Sequence, residues 1–151
     1  MMKARLNPQA AAPAAMKAMY ELEGKIADLG LEPTLVELVK TRASQINRCA
    51  YCINMHTRDA RALGETEARL YLLDAWRESP LYSERERAAL AWTEALTDLA
   101  HSGAGDGDYA LLQAQFSPEE QVNLTLLIAT INAWNRFGVG FRLVHPKEGR
   151  M

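Results

Sequence analysis

Two cysteines and a histidine lie close together in the chain, at positions 49, 52 and 56. On an α-helix, residues three or four apart lie on the same face, with their Cβ atoms about 5–6 Å apart. A helix here would therefore carry both thiols and the imidazole on one face. A Cys-x-x-Cys pair can close a small disulfide without unfolding the helix, so Cys49 and Cys52 are predicted to cycle between oxidised and reduced forms.

The position of the histidine distinguishes the two cysteines. An imidazole one turn beyond Cys52 can share or remove the thiol proton, and the thiolate is the form that attacks electrophiles. Only Cys52 has a histidine four residues later, which predicts that Cys52 is the nucleophile, the reverse of the order in many Cys-x-x-Cys enzymes. If the helix begins near Cys49, its unpaired N–H groups further favour a thiolate in this turn.

The length and composition limit the classes of function. The chain has 151 residues, a length that predicts one domain over residues 1–151. A net charge of -2 excludes the basic surface expected of a nucleic-acid-binding protein. The chain has no apolar run of the roughly 18 residues that a membrane span requires, and its start lacks the apolar centre of a signal peptide. We therefore expect a cytoplasmic protein with no membrane or nucleic-acid partner, in which a close cysteine pair is catalytic or metal-binding rather than structural.

Helical periodicity recurs along the chain, whereas strand patterns are nearly absent. The sequence predicts an all-α helical bundle of about six to seven helices, with the Cys-x-x-Cys pair at the start of the third helix and Glu37 on the second. Ser83 with Glu86, and Ser117 with Glu120, have the spacing of capping boxes. The predicted helices cover residues 13–29, 33–46, 49–63, 66–77, 83–100, 109–115 and 117–134, with a glycine-containing loop at residues 101–108.

The arrangement of Glu37, Cys49, Cys52 and His56 resembles the active-site signature of the alkylhydroperoxidase D-like proteins, within the carboxymuconolactone decarboxylase-like superfamily. The segment 131–136 is also similar to the late helix of small members, and the resemblance covers about residues 19–142. It implies an all-helical bundle that forms homo-oligomers (dimers, trimers or hexamers) and reduces hydroperoxides with cysteine chemistry. It also implies an external dithiol reductant, either a lipoyl-bearing protein or a thioredoxin-like one, and it implies no cofactor.

The resemblance, combined with the residue chemistry, assigns a role to each site residue. Cys52 would attack the peroxide and become a sulfenic acid, which Cys49 would resolve to the disulfide. His56 would activate Cys52, and Glu37 would orient the imidazole or pass a proton through water. Family members often have histidine directly before the second cysteine, whereas this chain has Tyr51. A phenol is a poor base near neutral pH, so Tyr51 is at most an auxiliary residue and a lower peroxidase rate is expected.

Several alternatives remain open at this point. The protein could be a disulfide oxidoreductase or redox sensor without efficient peroxide turnover, and a lactone decarboxylase is a weaker hypothesis because proton transfer on a lactone needs no dithiol. A zinc site at Cys49, Cys52 and His56 is disfavoured because closed structural sites require four ligands. The late-helix residues Asn132, Asn135 and Arg136 are expected to form a structural hydrogen-bond network or a subunit contact rather than to act in catalysis.

Overall fold

The computed structural model describes residues 2–147, and the regular structure in that range is entirely helical, which confirms the all-α prediction. The architecture is a bundle in which one helix, α3, is packed on several sides. The α-helices are α1 Pro8–Ala11, α2 Pro13–Ala27, α3 Pro33–Ile46, α4 Ala50–Ala62, α5 Glu67–Tyr71, α6 Glu84–Thr97, α7 Leu99–Ser102, α8 Asp106–Gln115 and α9 Pro118–Gly140, and a 3₁₀ helix spans Leu73–Glu78.

The helix ends follow the local chemistry of the sequence. Both predicted capping boxes are formed, since Ser83 and Ser117 accept the Glu86 and Glu120 amides and those carboxylates accept the serine amides in return. Proline occupies the first turn of α2, α3 and α9, where it costs no hydrogen bond. After α4, Gly64 adopts a φ of 95°, a left-handed conformation that favours glycine and ends the helix.

Four segments differ from the sequence prediction. The short helix α1 precedes the first helix that the sequence predicted. The helix predicted at 66–77 is divided into α5 and the 3₁₀ helix, with Ala75 outside the helical region of φ and ψ. The predicted loop at 101–108 is largely helical, because α7 runs to Ser102 and α8 begins at Asp106, an acidic residue favoured in a first turn. The last helix also continues beyond residue 134 to Gly140. The additional elements are all short, which explains why helical periodicity did not reveal them.

The interior is organised around α3, which packs against α4, α6 and α9. On one side, Val39 joins a core that includes Ala89 of α6 and Leu127 of α9. On the other side, Leu38 joins a core that includes Leu73 and Trp76. Because both cores use consecutive residues of α3, this helix is fixed between two packed layers, and its neighbour α4 is fixed with it.

The long helix α9 closes the bundle. It buries residues on several faces, as its nearly continuous apolar pattern predicted. At its carboxyl end, the Phe141 carbonyl accepts the Arg5 amide at 2.8 Å, and the Leu143 amide in the following turn donates to the Gly138 carbonyl at 2.9 Å. Across residues 2–147, the combination of length and apolarity that a membrane-crossing helix needs is found in none of the helices.

Candidate functional site

The two cysteines form a disulfide at the start of α4. Cys49 is the N-cap residue, with an extended backbone, and its Sγ accepts the Cys52 amide at 3.2 Å. The two Cα atoms are 5.2 Å apart, within the ordinary range for a bridge. Both residues are almost completely buried, with relative exposures of 1% for Cys49 and 3% for Cys52. The structure therefore places the predicted pair at a helix N-terminus, as expected.

A polar network holds the chain immediately before the disulfide. The Asn47 side-chain amide donates to Asn132 Oδ1 and Asn135 Oδ1, each at 2.9 Å, and Asn135 donates to Ser44 Oγ at 2.9 Å. Asn135 and Ser44 are buried. The network links the end of α3 to the middle of α9, which confirms the structural role predicted for Asn132 and Asn135. The turn before α4 is thereby fixed on both sides.

Arg48 occupies an unusual backbone conformation inside this turn. Its φ is 55°, in the left-handed region that costs a residue with a side chain free energy. The following Cys49 amide donates to the Ser44 carbonyl at 3.0 Å. The turn therefore directs the chain from α3 into α4 with Cys49 at the cap, and the asparagine network maintains this conformation.

His56 and Glu37 form a direct contact between α4 and α3. His56 Nδ1 lies 3.0 Å from Glu37 Oε2, and the two side chains are only 8% and 13% exposed. When Glu37 is ionised, its carboxylate accepts the hydrogen of Nδ1, which leaves Nε2 as the ring nitrogen for proton transfer. His56 lies one helical turn after Cys52 on the same helix, on the face that the spacing predicted.

Gly138 of α9 lies directly against the disulfide. A Cβ atom at this position would lie 2.5 Å from Cys49 Sγ and 3.1 Å from Cys52 Sγ. The first distance is shorter than real Cβ contacts. The sulfurs therefore occupy the space that a side chain at position 138 would need, and α9 forms a wall of the site.

Tyr51 and Asp59 lie on α4, the same helix as His56. Tyr51, the auxiliary candidate, is half-buried on α4. Asp59 is exposed one turn beyond His56. Ligating atoms of Glu37, His56 and Asp59 lie within 4.8 Å of one another, a donor set of the kind that can hold a metal ion. The two sulfurs are bonded to each other, so in this form they do not offer the thiolates that the zinc alternative requires.

A cluster around Glu94 of α6 supports the scaffold of the site. Arg42 of α3 and the indole of Trp76 each donate to Glu94 at 2.9 Å, and Arg77 pairs with the same carboxylate. Burial raises the pKa of Glu94, but the hydrogen bonds from Arg77, Trp76 and Arg42 outweigh burial and hold the pKa below its usual value. The carboxylate thus remains charged and joins α3, α6 and the 3₁₀ helix.

The four predicted site residues, Glu37, Cys49, Cys52 and His56, are gathered at the contact between α3 and α4. Sequence reasoning missed Gly138 and Asp59. Helical periodicity does not single out Gly138, although an isolated glycine inside a helical pattern can indicate close packing. Asp59 lies three residues after His56, so helical spacing could have indicated it.

Comparison with known proteins shows the family of the chain. The family model for the carboxymuconolactone decarboxylase family matches residues 13–95. The chain is 41% identical over 138 residues to the uncharacterised protein YdfG of Bacillus subtilis (strain 168), covering 91% of this chain and 94% of that protein.

Solved structures show the same fold. A protein of unknown function from Agrobacterium tumefaciens, suggested to be the antioxidant defence protein AhpD, has a TM-score of 0.95 and 46% identity, covering 97% of this chain and all of that one. The debrominase Bmp8 has a TM-score of 0.83 but only 19% identity, covering 91% of this chain and 74% of that one, and so shares the fold alone. The chain belongs to the carboxymuconolactone decarboxylase family and is an alkylhydroperoxidase D-like member of it.

Proposed function

We propose that the protein is a cysteine-based peroxidase that reduces organic hydroperoxides or hydrogen peroxide through the Cys49–Cys52 disulfide. The observation that carries the proposal is the disulfide at the N-terminus of α4, one helical turn from an imidazole that is itself bonded to Glu37. Thiol chemistry on a peroxide requires a redox pair, a proton acceptor and a group that orients the acceptor.

The oxidative half of the reaction begins with the reduced pair. His56 Nε2 takes the proton of Cys52, and the thiolate attacks one oxygen of the peroxide. The O–O bond breaks, the leaving oxygen receives a proton and departs as alcohol or water, and Cys52 becomes a sulfenic acid. Cys49 then attacks the Cys52 sulfur and displaces water. The product is the disulfide that the structure contains.

The reductive half needs two electrons from an external dithiol, which we propose to be a lipoyl-bearing or thioredoxin-like protein. A thiolate of the reductant attacks Cys52 Sγ, and Cys49 leaves as a thiolate. The Cys49 sulfur already accepts the Cys52 amide at the helix N-terminus, and both features stabilise a negative charge on it. The second thiol of the reductant then releases Cys52 and completes the exchange.

Protons must also reach the buried pair from solvent. Glu37 is nearly buried behind His56, whereas Asp59 is exposed beside it, with ligating atoms of all three residues within 4.8 Å. We propose that Glu37 orients the ring through Nδ1 and that Asp59 assists proton exchange between the ring and bulk water. Glu37 and Asp59 would then be positioning and relay residues, while Cys49, Cys52 and His56 carry the chemistry.

Peroxide turnover by reduced protein tests the proposal directly. Wild type, Cys52→Ser, Cys49→Ser and His56→Ala are mixed with cumene hydroperoxide and dihydrolipoamide or thioredoxin, and both peroxide and free thiols are followed. Wild type should consume many equivalents of peroxide, and Cys52→Ser should consume none beyond the uncatalysed rate. Peroxide loss by Cys52→Ser at the wild-type rate would show that another sulfur attacks.

The second candidate function is that of a thiol-disulfide oxidoreductase or redox sensor. The burial of both sulfurs favours it, because exposures of 1% and 3% restrict the approach of a reductant and slow turnover. Under this alternative, wild type would lose its two thiols after one equivalent of peroxide and stop, even with reductant present. A decarboxylase acting on a lactone remains the weakest candidate, since it leaves the dithiol without a role.

We also propose that the protein is a homo-oligomer in the cytoplasm. Val122, which is 68% exposed, Leu126 and Ala129 form an exposed apolar strip on α9, of the kind that subunit contacts cover. Light scattering at micromolar concentration should give a mass of at least two chains, and a clean monomer would contradict this part of the proposal.

A further inference from the structure

Gly138 is a glycine that the backbone does not require. It lies within α9, and its φ is outside the left-handed region in which glycine is favoured. Within a helix, glycine is disfavoured relative to alanine because it has more conformational freedom to lose. The reason for a glycine at this position must therefore lie in its contacts rather than in its conformation.

The contacts are with the two sulfur atoms. A Cβ at position 138 would lie 2.5 Å from Cys49 Sγ and 3.1 Å from Cys52 Sγ, whereas a Cβ at the helical glycines Gly24 and Gly140 would meet no atom within 4 Å. The two sulfurs are also enclosed by the rest of the bundle. The disulfide thus occupies space that is free only because Gly138 has no side chain.

The bonded sulfurs are less able to move away than two free thiols. In the disulfide, each sulfur is fixed by its bond to the other, and Cys49 Sγ also accepts the Cys52 amide. In the dithiol, each side chain can turn about χ1 to another staggered rotamer. A side chain at position 138 would consequently disfavour the disulfide more than the dithiol.

We propose that Gly138 is a positioning residue of the redox pair, whose missing side chain sets how strongly the protein favours the Cys49–Cys52 disulfide over the dithiol. The proposal goes beyond peroxide reduction and does not depend on it. It concerns the exchange in which the dithiol gives two electrons and two protons to oxidised glutathione or oxidised dithiothreitol and becomes the disulfide. It would hold equally for a peroxidase and for a redox sensor.

The test compares Gly138→Ala with Gly24→Ala, which makes the same change in a helix at a site without neighbours. Each protein is equilibrated with mixtures of reduced and oxidised glutathione or dithiothreitol, quenched in acid, alkylated and weighed by mass spectrometry. Gly138→Ala should lower the equilibrium constant for disulfide formation at least tenfold, which corresponds to about 30 mV for this two-electron couple. Gly24→Ala should match wild type. An unchanged constant in Gly138→Ala would overturn the proposal.

A second comparison applies even if Gly138→Ala folds poorly. In the Cys49→Ala/Cys52→Ala background the sulfurs are gone, so Gly138→Ala should leave the urea midpoint unchanged or raise it. In the oxidised wild-type background, the same substitution should lower the midpoint. An equal loss in both backgrounds would show that Gly138 accommodates something other than the sulfurs. Absence of peroxide turnover would count against the proposed function but would leave both of these results as they stand.

Discussion

The hydrogen bond between Glu37 and His56 gives the sharpest prediction about rate. Replacing Glu37 with glutamine keeps the size of the side chain but removes its negative charge. The oxygen-to-nitrogen distance is 3.0 Å and both side chains are largely buried, so the bond is a charge-assisted one, of about 1.5–3 kcal/mol. The negative charge of Glu37 stabilises the imidazolium that forms when Cys52 gives its proton to His56. Since about 1.4 kcal/mol is a factor of ten, the first oxidation of Cys52 should slow by about 10-fold to 100-fold near pH 7.

The pH dependence separates this role from a merely structural one. An ordinary thiol ionises without help above about pH 8.5, so the difference between Glu37→Gln and wild type should shrink as the pH is raised. The assay is stopped-flow oxidation of reduced protein by cumene hydroperoxide, followed by loss of free thiol from pH 6 to pH 9.5. A change that only loosened the fold would instead give a similar loss at every pH.

Glu21→Gln is the matched control. Glu21 lies on α2 in an exposed ion pair with Lys17 at 3.5 Å, so its substitution removes the same charge away from the site. It should leave the oxidation rate unchanged at each pH. The reasoning would be refuted if Glu37→Gln, folded as judged by its urea midpoint, oxidised as fast as wild type at pH 7.

The remaining predictions concern the scaffold. Asn135→Leu should lower the free energy of unfolding by about 2–4 kcal/mol in urea titrations, because it removes two hydrogen bonds of the buried network, one to the Asn47 amide and one to Ser44 Oγ. Asn123→Leu removes a single hydrogen bond of 3.3 Å and should lower the free energy of unfolding clearly less. An equal loss of free energy in the two variants would contradict the role of Asn135 in the network. Glu94→Gln should destabilise the protein at pH 7 by about 1–3 kcal/mol. Because the pKa of Glu94 is below its usual value in the folded protein, that stabilisation is present at neutral pH and is lost as the pH falls through the folded-state pKa. The urea midpoints of Glu94→Gln and wild type should therefore converge as the pH is lowered below 4.5, and a constant difference would refute the assignment.

The arrangement of the site residues could be predicted from the sequence because it is mostly local. Cys49, Cys52 and His56 lie within eight consecutive residues of one helix, so helical spacing alone places them on one face. Glu37 is on the preceding helix, and its resemblance to a family signature, rather than its spacing, singled it out. The structure confirms the contact by bringing its carboxylate to the imidazole.

The parts that sequence reasoning missed depend on contacts between distant segments. Gly138 meets the sulfurs only because α9 packs against α3 and α4, and no periodicity within α9 reveals which atoms face it. The break between α5 and the 3₁₀ helix has a similar origin. The apolar positions of residues 66–77 are compatible with a single helix. They are equally compatible with the two shorter helices of the structure, which bury Leu70, Leu73 and Trp76 in one shared core. Tertiary packing there outweighs local periodicity.

The identity of the attacking sulfur is the most direct test of the chemistry. Reduced Cys49→Ser protein, which cannot form the disulfide, is mixed with one equivalent of cumene hydroperoxide in the presence of dimedone, and the adduct is located by tandem mass spectrometry. The proposed mechanism predicts a sulfenic acid adduct on Cys52, and none on Cys49 in the reciprocal Cys52→Ser protein. Finding the adduct on Cys49 instead, or finding no adduct while the peroxide remains intact, would contradict the mechanism.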